Sequence, residues 1–149
     1  MHERFIYALK TTGMKNNATA VWQGKGTDGT GRITTKSAVL HNVPYSYKTR
    51  FEGEPGTNPE ELIAAAHAAC FSMKLAFVLD AEGYTPTELN TNCEINFEAG
   101  VITGAHLSLK AKIPGIDKET FDELVTNSGH NCPVSKVLNI TPTFSAELL

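Results

Sequence analysis

The feature that most constrains the fold is a helix that is apolar on nearly every side. Thr57 or Asn58 can cap its N-terminus, Pro59 fits the first helical position, and Gly83 is suited to its C-terminal end. Between these ends, residues 63–71 read IAAAHAACF, which leaves no polar face for solvent. One sheet layer in a chain of 149 residues covers only one side of such a helix. The sequence therefore predicts a homodimer in which two central helices pack together.

Segments of alternating polarity predict strands before and after this helix. The strands predicted before it are Phe5–Leu9, Ala18–Gln23, Arg32–Leu40 and Tyr45–Phe51. After it, residues 89–97 and 107–113 alternate in the same way and predict a hairpin that turns at Ala99 and Gly100. A second helix, Asp117–Asn127, is predicted to stop before Gly129, and a last strand follows. This order predicts one α+β domain that spans residues 1–149.

Composition excludes several function classes. The formal net charge is -3 and no basic run stands out, so we expect no nucleic-acid partner. The longest apolar stretch, Leu62–Leu79, is interrupted by His67, Ser72 and Lys74, and no charged leader precedes an apolar core. We therefore expect a soluble, cytoplasmic protein with no membrane contact. Three cysteines in a reducing compartment favour chemistry, metal binding or packing over a disulfide framework.

The three cysteines lie in different predicted settings. Cys70 is in the middle of the central helix, where the helix dipole gives no help and burial raises the pKa of a thiol. Cys132 precedes Pro133 at the entry to a last helical turn, where a helix N-terminus stabilises a thiolate. Cys93 is on the apolar face of a strand, where core packing is the simplest role. Taken one at a time, each cysteine is compatible with packing alone.

Read together, two segments resemble the osmotically inducible protein C and organic hydroperoxide resistance family. They are residues 56–73, GTNPEELIAAAHAACFSM, and residues 131–136, NCPVSK. The segments YSYKTRFEG at 45–53 and IPGID at 113–117 favour the osmotically inducible protein C branch. The resemblance implies an α+β fold in which an antiparallel sheet wraps around the long central helix of an intertwined homodimer.

The resemblance also implies a thiol peroxidase that reduces organic hydroperoxides, and hydrogen peroxide as a second substrate. The cysteine matching Cys70 attacks the peroxide and becomes a sulfenic acid, and the one matching Cys132 condenses with it to a disulfide. A dithiol reductant, by resemblance a lipoylated protein, reopens that disulfide. No bound cofactor or metal is expected.

An arginine and a glutamate accompany these cysteines in the family. Glu60 matches the glutamate, and Arg50 is the preferred arginine, with Arg32 in reserve. Glu60 is ten residues from Cys70, roughly 15 Å along a straight helix, so it acts on a partner's cysteine or holds the arginine. Alternatively, Glu60 is a first-turn carboxylate that stabilises the helix through its dipole. Candidates for an apolar groove for the substrate are Tyr45, Tyr47, Phe51, Phe71, Met73 and Phe77.

Three other functions fit parts of the sequence. His67, Cys70, His130 and Cys132 offer two nitrogen and two sulfur ligands of the kind zinc takes. Cys70 with His67 as a base would suit a hydrolase or transferase, although no oxyanion hole or orienting acid is evident. A non-catalytic module that binds a small apolar ligand is the third, and the presence of two matched cysteines weighs against it.

Overall fold

The structure, a computed structural model, describes residues 13–149. The predicted strand Phe5–Leu9 lies outside the described residues. The described chain divides into two compact units, residues 13–62 and residues 63–149. The single domain expected from the sequence stays a prediction.

The first unit contains an antiparallel three-stranded sheet in the order β1 (Ala18–Gln23), β2 (Thr30–Thr35) and β3 (Val43–Tyr45). β1 has the bounds predicted from its sequence. β2 was expected to continue to Leu40, and this was wrong. The chain turns after Thr35, whose backbone N–H donates to the Leu40 carbonyl at 2.9 Å, and Ala38 in the turn has a φ of 59°.

The predicted strand Tyr45–Phe51 is also wrong, because the chain leaves β3 at Tyr45 and forms a short helix, α1 (Tyr47–Phe51). A capping box starts it: the Thr49 N–H donates to the Ser46 hydroxyl at 3.1 Å, and the Ser46 N–H donates to the Thr49 hydroxyl at 2.8 Å. Tyr47 and Phe51 are one helical turn apart, and their ring centroids lie 4.9 Å from each other. The hydrogen bonds of the capping box favour a helix here, although the alternation of polar and apolar residues favours a strand.

The long helix α2 runs from Pro59 to Ala81. The side chain of Asn58 accepts from the Glu61 N–H at 2.8 Å, and Gly83, with a φ of 85°, follows the C-terminal end, as predicted. By length and composition alone, α2 could cross a membrane. The core helices of soluble proteins have the same length and composition, so these two properties do not by themselves make α2 a membrane span.

The second unit contains the sheet β4 (Glu88–Glu98), β5 (Val101–Lys112) and β6 (Thr143–Leu148). β4 and β5 form the predicted hairpin, which turns at Ala99 and Gly100, both with positive φ. β6 pairs with β5 in parallel, so this sheet is mixed and differs from the antiparallel sheet that was expected. A parallel pair needs a crossover, and two helices supply it: α3 (Lys118–Asn131) and α4 (Pro133–Val137).

Helix α3 starts as predicted but ends later. Asp117 caps it, accepting from the Thr120 N–H at 2.9 Å. The helix passes through Gly129 and ends at Asn131, whereas the sequence predicted an end before Gly129. Gly129 is needed for close packing instead: a Cβ there would lie 2.5 Å from the ring of Phe144 on β6.

One hydrophobic core holds the second unit together. Its fully buried members come from α2, β5 and α3: Phe71, Leu75, Leu79, Leu107, Leu109, Ala111 and Phe121. Each large side chain buried in this way stabilises the fold by roughly 1.5–3 kcal/mol relative to an exposed one. The α+β prediction, with a long helix and sheets on either side of it in sequence, is confirmed.

Candidate active site

The structure brings Cys70 of α2 close to Cys132 at the start of α4. Cys132 is fully buried, Cys70 is half-buried, and both are free thiols. Burial raises the pKa of Cys70, a hydrogen bond with the Val134 backbone lowers it, and the Cys132 side chain raises it further. The expectation that burial disfavours the Cys70 thiolate is therefore confirmed, and the backbone of α4 provides a partial compensation.

The local sequence places the Cys132 sulfur at the N-terminus of α4. Cys132 has extended backbone angles, φ -69° and ψ 141°, and Pro133 occupies the first helical turn. The Ser135 N–H donates to Cys132 Sγ at 3.4 Å, as in an ordinary N-cap. The predicted helix entry at Pro133 is confirmed.

A buried histidine extends this cluster. His67 Nε2 lies 2.7 Å from Ser135 Oγ, which in turn lies 3.0 Å from Cys132 Sγ. His67 Nδ1 lies 3.7 Å from Cys93 Sγ on β4. Burial lowers the pKa of His67, and burial together with the neighbouring Cys132 raises the pKa of Cys93 to about 11. The nitrogens of His67 face Ser135 and Cys93, an arrangement that gives no support to a hydrolase in which His67 is the base for Cys70.

The sequence does not predict the residues that bond to buried His67. Ser135 carried one signal, since it lies three residues after Cys132, where an N-cap side chain meets the backbone. Cys93 carried none beyond its place on an apolar strand face.

Arg50 and Glu60 form an ion pair within the first unit. Arg50 Nε donates to Glu60 Oε2 at 3.0 Å, and Arg50 Nη2 donates to Glu60 Oε1, so the guanidinium binds the carboxylate through both oxygens. Arg50 lowers the pKa of Glu60, and Glu60 raises that of Arg50. Of the three roles considered for Glu60, holding the arginine is the one that this contact supports. The reserve candidate, Arg32, donates to the Asn42 carbonyl at 3.0 Å.

The zinc site gains no support from the structure. Within residues 13–149, no three His, Cys, Asp or Glu side chains are grouped so that they could hold a metal ion. His130 packs edge-on against Phe144, with ring centroids 5.1 Å apart.

Phe71 was a candidate for the substrate groove, but it is 1% exposed and belongs to the core. Other groove candidates are exposed: Met73 and Phe77 on α2, and Tyr47 and Phe51 on α1. Met73 and Phe77 therefore present an exposed apolar surface on α2.

A family model described as OsmC-like protein matches residues 51–147, a span that holds Glu60 and both cysteines. The chain belongs to the OsmC-like family. Peroxiredoxin OsmC of Escherichia coli is 46% identical over 133 residues, covering 87% of this chain and 93% of that protein. Organic hydroperoxide resistance protein OhrB of Bacillus subtilis is 32% identical over 110 residues, covering 71% and 79%. The higher identity places the chain in the OsmC branch, as the sequence predicted.

Solved structures agree with this assignment. An organic hydroperoxide resistance protein from Elizabethkingia anophelis, 26% identical, superposes with a TM-score of 0.68, covering 93% of this chain and 99% of that one. The OsmC-like fold is therefore shown as well as the family.

Proposed function

We propose that the protein is a cysteine-based peroxidase that reduces organic hydroperoxides, and hydrogen peroxide as a second substrate. The observation that carries this proposal is the pairing of Cys70 with Cys132, two free thiols close enough for the Cys132 side chain to hydrogen-bond with Cys70 and raise its pKa. Its relatives named Peroxiredoxin OsmC and organic hydroperoxide resistance protein support the same reaction class.

In the proposed mechanism, the Cys70 thiolate attacks the distal oxygen of the peroxide. The O–O bond breaks, the alcohol or water leaves, and Cys70 carries a sulfenic acid. Cys132 then attacks the Cys70 sulfur, releasing water and forming a disulfide. Two electrons from an external dithiol reduce that disulfide and return both thiols. We propose a lipoylated protein as the donor and the cytoplasm as the location.

We assign the cation that stabilises the Cys70 thiolate to Arg50. A guanidinium remains charged at all working pH values, and the double hydrogen bond to Glu60 fixes its orientation. Glu60 is 14% exposed in its side chain, so the pair is shielded from solvent on the carboxylate side. Arg50→Ala should slow the oxidation of Cys70 by roughly tenfold or more, since one pKa unit of thiolate stabilisation corresponds to 1.36 kcal/mol. Arg32→Ala is the matched control and should leave that rate unchanged.

We propose a homodimer that covers the exposed apolar stripe of α2. Along that helix, Ala65, Ala69, Met73 and Phe77 follow one another at intervals of four residues, and all four are exposed in the isolated chain. Alanines let a second helix approach closely. Mixing the Cys70→Ser and Arg50→Ala variants would test whether the site uses both chains, because heterodimers regain activity only if the arginine serves the partner's cysteine.

The function is tested by stopped-flow oxidation of reduced protein with an alkyl hydroperoxide and with hydrogen peroxide, followed by mass spectrometry of the products. We expect a disulfide between Cys70 and Cys132. Cys70→Ser should consume no peroxide, and Cys132→Ser should accumulate sulfenic acid without turnover. Dihydrolipoamide should support turnover better than glutathione. Absence of peroxide consumption by the unmodified protein, or full turnover in either variant, would refute the proposal.

A further inference from the structure

His67 has a position that the peroxidase mechanism above leaves unused. It is fully buried, and each ring nitrogen faces one polar group from another element. Nε2 lies 2.7 Å from the Ser135 hydroxyl, which is 3.0 Å from Cys132 Sγ. Nδ1 lies 3.7 Å from Cys93 Sγ. The result is a continuous line of hydrogen-bonding groups from β4 through α2 to the sulfur of Cys132.

The donors and acceptors of this line can be assigned. A neutral imidazole has one N–H donor and one acceptor nitrogen, and a hydroxyl donates once and accepts twice. With Nδ1–H pointing to Cys93 Sγ, Nε2 accepts from the Ser135 hydroxyl, and the Ser135 oxygen accepts from the Cys132 thiol. The Ser135 N–H, which donates to Cys132 Sγ at 3.4 Å, then stabilises the thiolate as it forms.

We propose that Ser135 and His67 form a proton relay that deprotonates Cys132 while it attacks the sulfenic acid of Cys70. The inference rests on the proposed function, since it concerns the second step of that reaction. Ser135 contacts a reacting atom and is therefore a catalytic residue, whereas His67 acts through Ser135 and is a positioning residue.

Cys132 gives its proton to Ser135 Oγ as Ser135 gives its own to His67 Nε2. The Cys132 sulfur bonds to the Cys70 sulfur, the S–O bond of the sulfenic acid breaks, and the oxygen leaves as water after taking one proton from solvent. His67 later returns its proton to solvent, or to Cys132 through Ser135 when the external dithiol reduces the disulfide. Cys70 is oxidised in the first step only, and peroxide is the oxidant.

The surroundings keep His67 ready to accept a proton. Burial lowers its pKa from the ordinary value of 6.5, so the ring is neutral at about pH 7. The titratable groups that face it are thiols: Cys93 from β4, and Cys132 through Ser135. Among residues 13–149, no charged side chain contributes to its pKa shift, whose cause is burial.

The experiment measures the two steps separately. Stopped-flow mixing with one equivalent of alkyl hydroperoxide gives the rate of sulfenic acid formation, and quenched samples analysed by mass spectrometry give the rate of disulfide formation. The test variants are His67→Asn and Ser135→Ala. Their matched controls are His106→Asn, which removes a histidine bonded to two hydroxyls, and Ser72→Ala, which removes a serine bonded to Thr91 at 2.7 Å.

We expect both test variants to form sulfenic acid at the unmodified rate and to form the disulfide roughly 10²-fold more slowly, as general-base catalysis predicts. The controls should match the unmodified protein in both steps. In the unmodified protein, disulfide formation should be constant above about pH 7 and fall at lower pH as His67 becomes protonated, and this dependence should be absent in Ser135→Ala.

Other outcomes decide against the relay. Wild-type disulfide rates in Ser135→Ala would overturn it even if His67→Asn failed to fold. So would a disulfide rate in the unmodified protein that keeps rising from about pH 7 to 9, because a thiol that loses its proton directly to solvent becomes more reactive over this range. A protein that forms neither sulfenic acid nor disulfide would instead refute the peroxidase function, and the relay with it.

Discussion

Gly129→Ala is the substitution that tests the packing of the second unit most directly. An alanine Cβ at this position would lie 2.5 Å from the Phe144 ring, whereas ordinary van der Waals contact begins at 3.4 Å, so the ring must withdraw by about 0.9 Å. The ring is held on its other sides by Phe71, with centroids 6.3 Å apart, and by His130. Such overpacking costs roughly 1–3 kcal/mol. The better helix propensity of alanine returns roughly 1 kcal/mol.

The net expectation is a loss of about 0–2 kcal/mol, with about 1 kcal/mol as the central value. For a chain of this length this lowers Tm by roughly 2–4 °C, measurable by differential scanning calorimetry. Adding Phe144→Leu should recover the loss, because a smaller side chain makes room for the methyl group. Gly104→Ala is the control, since a Cβ there would meet the flexible side chain of Asn96 at 3.3 Å. A Gly129→Ala protein that melts higher than the unmodified one by several degrees would refute the close packing described here.

Three further predictions concern charge and assembly. Glu60→Gln should lower the free energy of unfolding, measured by urea unfolding, by roughly 1 kcal/mol near neutral pH. Because Arg50 lowers the pKa of Glu60, this difference between the two proteins should persist above pH 4.5 and vanish as the pH falls through the lowered pKa. Because the pKa of His67 is lowered in the folded chain, the unfolded chain binds a proton at a higher pH than the folded chain does. The free energy of unfolding should therefore fall as the pH drops below 6.5, by up to 1.36 kcal/mol per pH unit. His67→Asn should remove this slope. Met73 is 64% exposed in the isolated chain, so Met73→Glu should leave that chain folded. The charge should convert the proposed dimer to a monomer in sedimentation velocity. An unchanged sedimentation coefficient would contradict the proposed interface.

The elements with strong local signals were predictable from sequence. The caps at Asn58 and Gly83 bound the long helix, and the hairpin at Ala99 and Gly100 has the turn that its sequence indicates. Tyr45–Phe51 was mispredicted because its alternation is typical of a strand, while Ser46 and Thr49 encode a helix cap three residues apart.

Features that no local sequence signal encodes depend on contacts between residues that are distant in sequence. Gly129 resembles a helix terminator until Phe144 is seen to pack against it. Cys70 and Cys132 were paired through a family resemblance, because no local rule joins a helix centre to a later helix entry. The contact of His67 with Ser135 spans 68 residues, and neither residue alone carries a catalytic motif.

The parallel pairing of β5 and β6 also has a consequence for the order in which the protein matures. The His106–Thr143 contact spans 37 residues, and the connection that must close to form it contains Cys132. Long connections close more slowly than hairpins, so β4, β5 and the helix bearing Cys70 can assemble before that crossover does. By the proposed mechanism, a newly made chain that meets peroxide in this interval would carry an oxidised Cys70 without Cys132 beside it. Further oxidation to the sulfinic acid is irreversible in most proteins, so nascent chains should be more vulnerable to oxidant than mature ones.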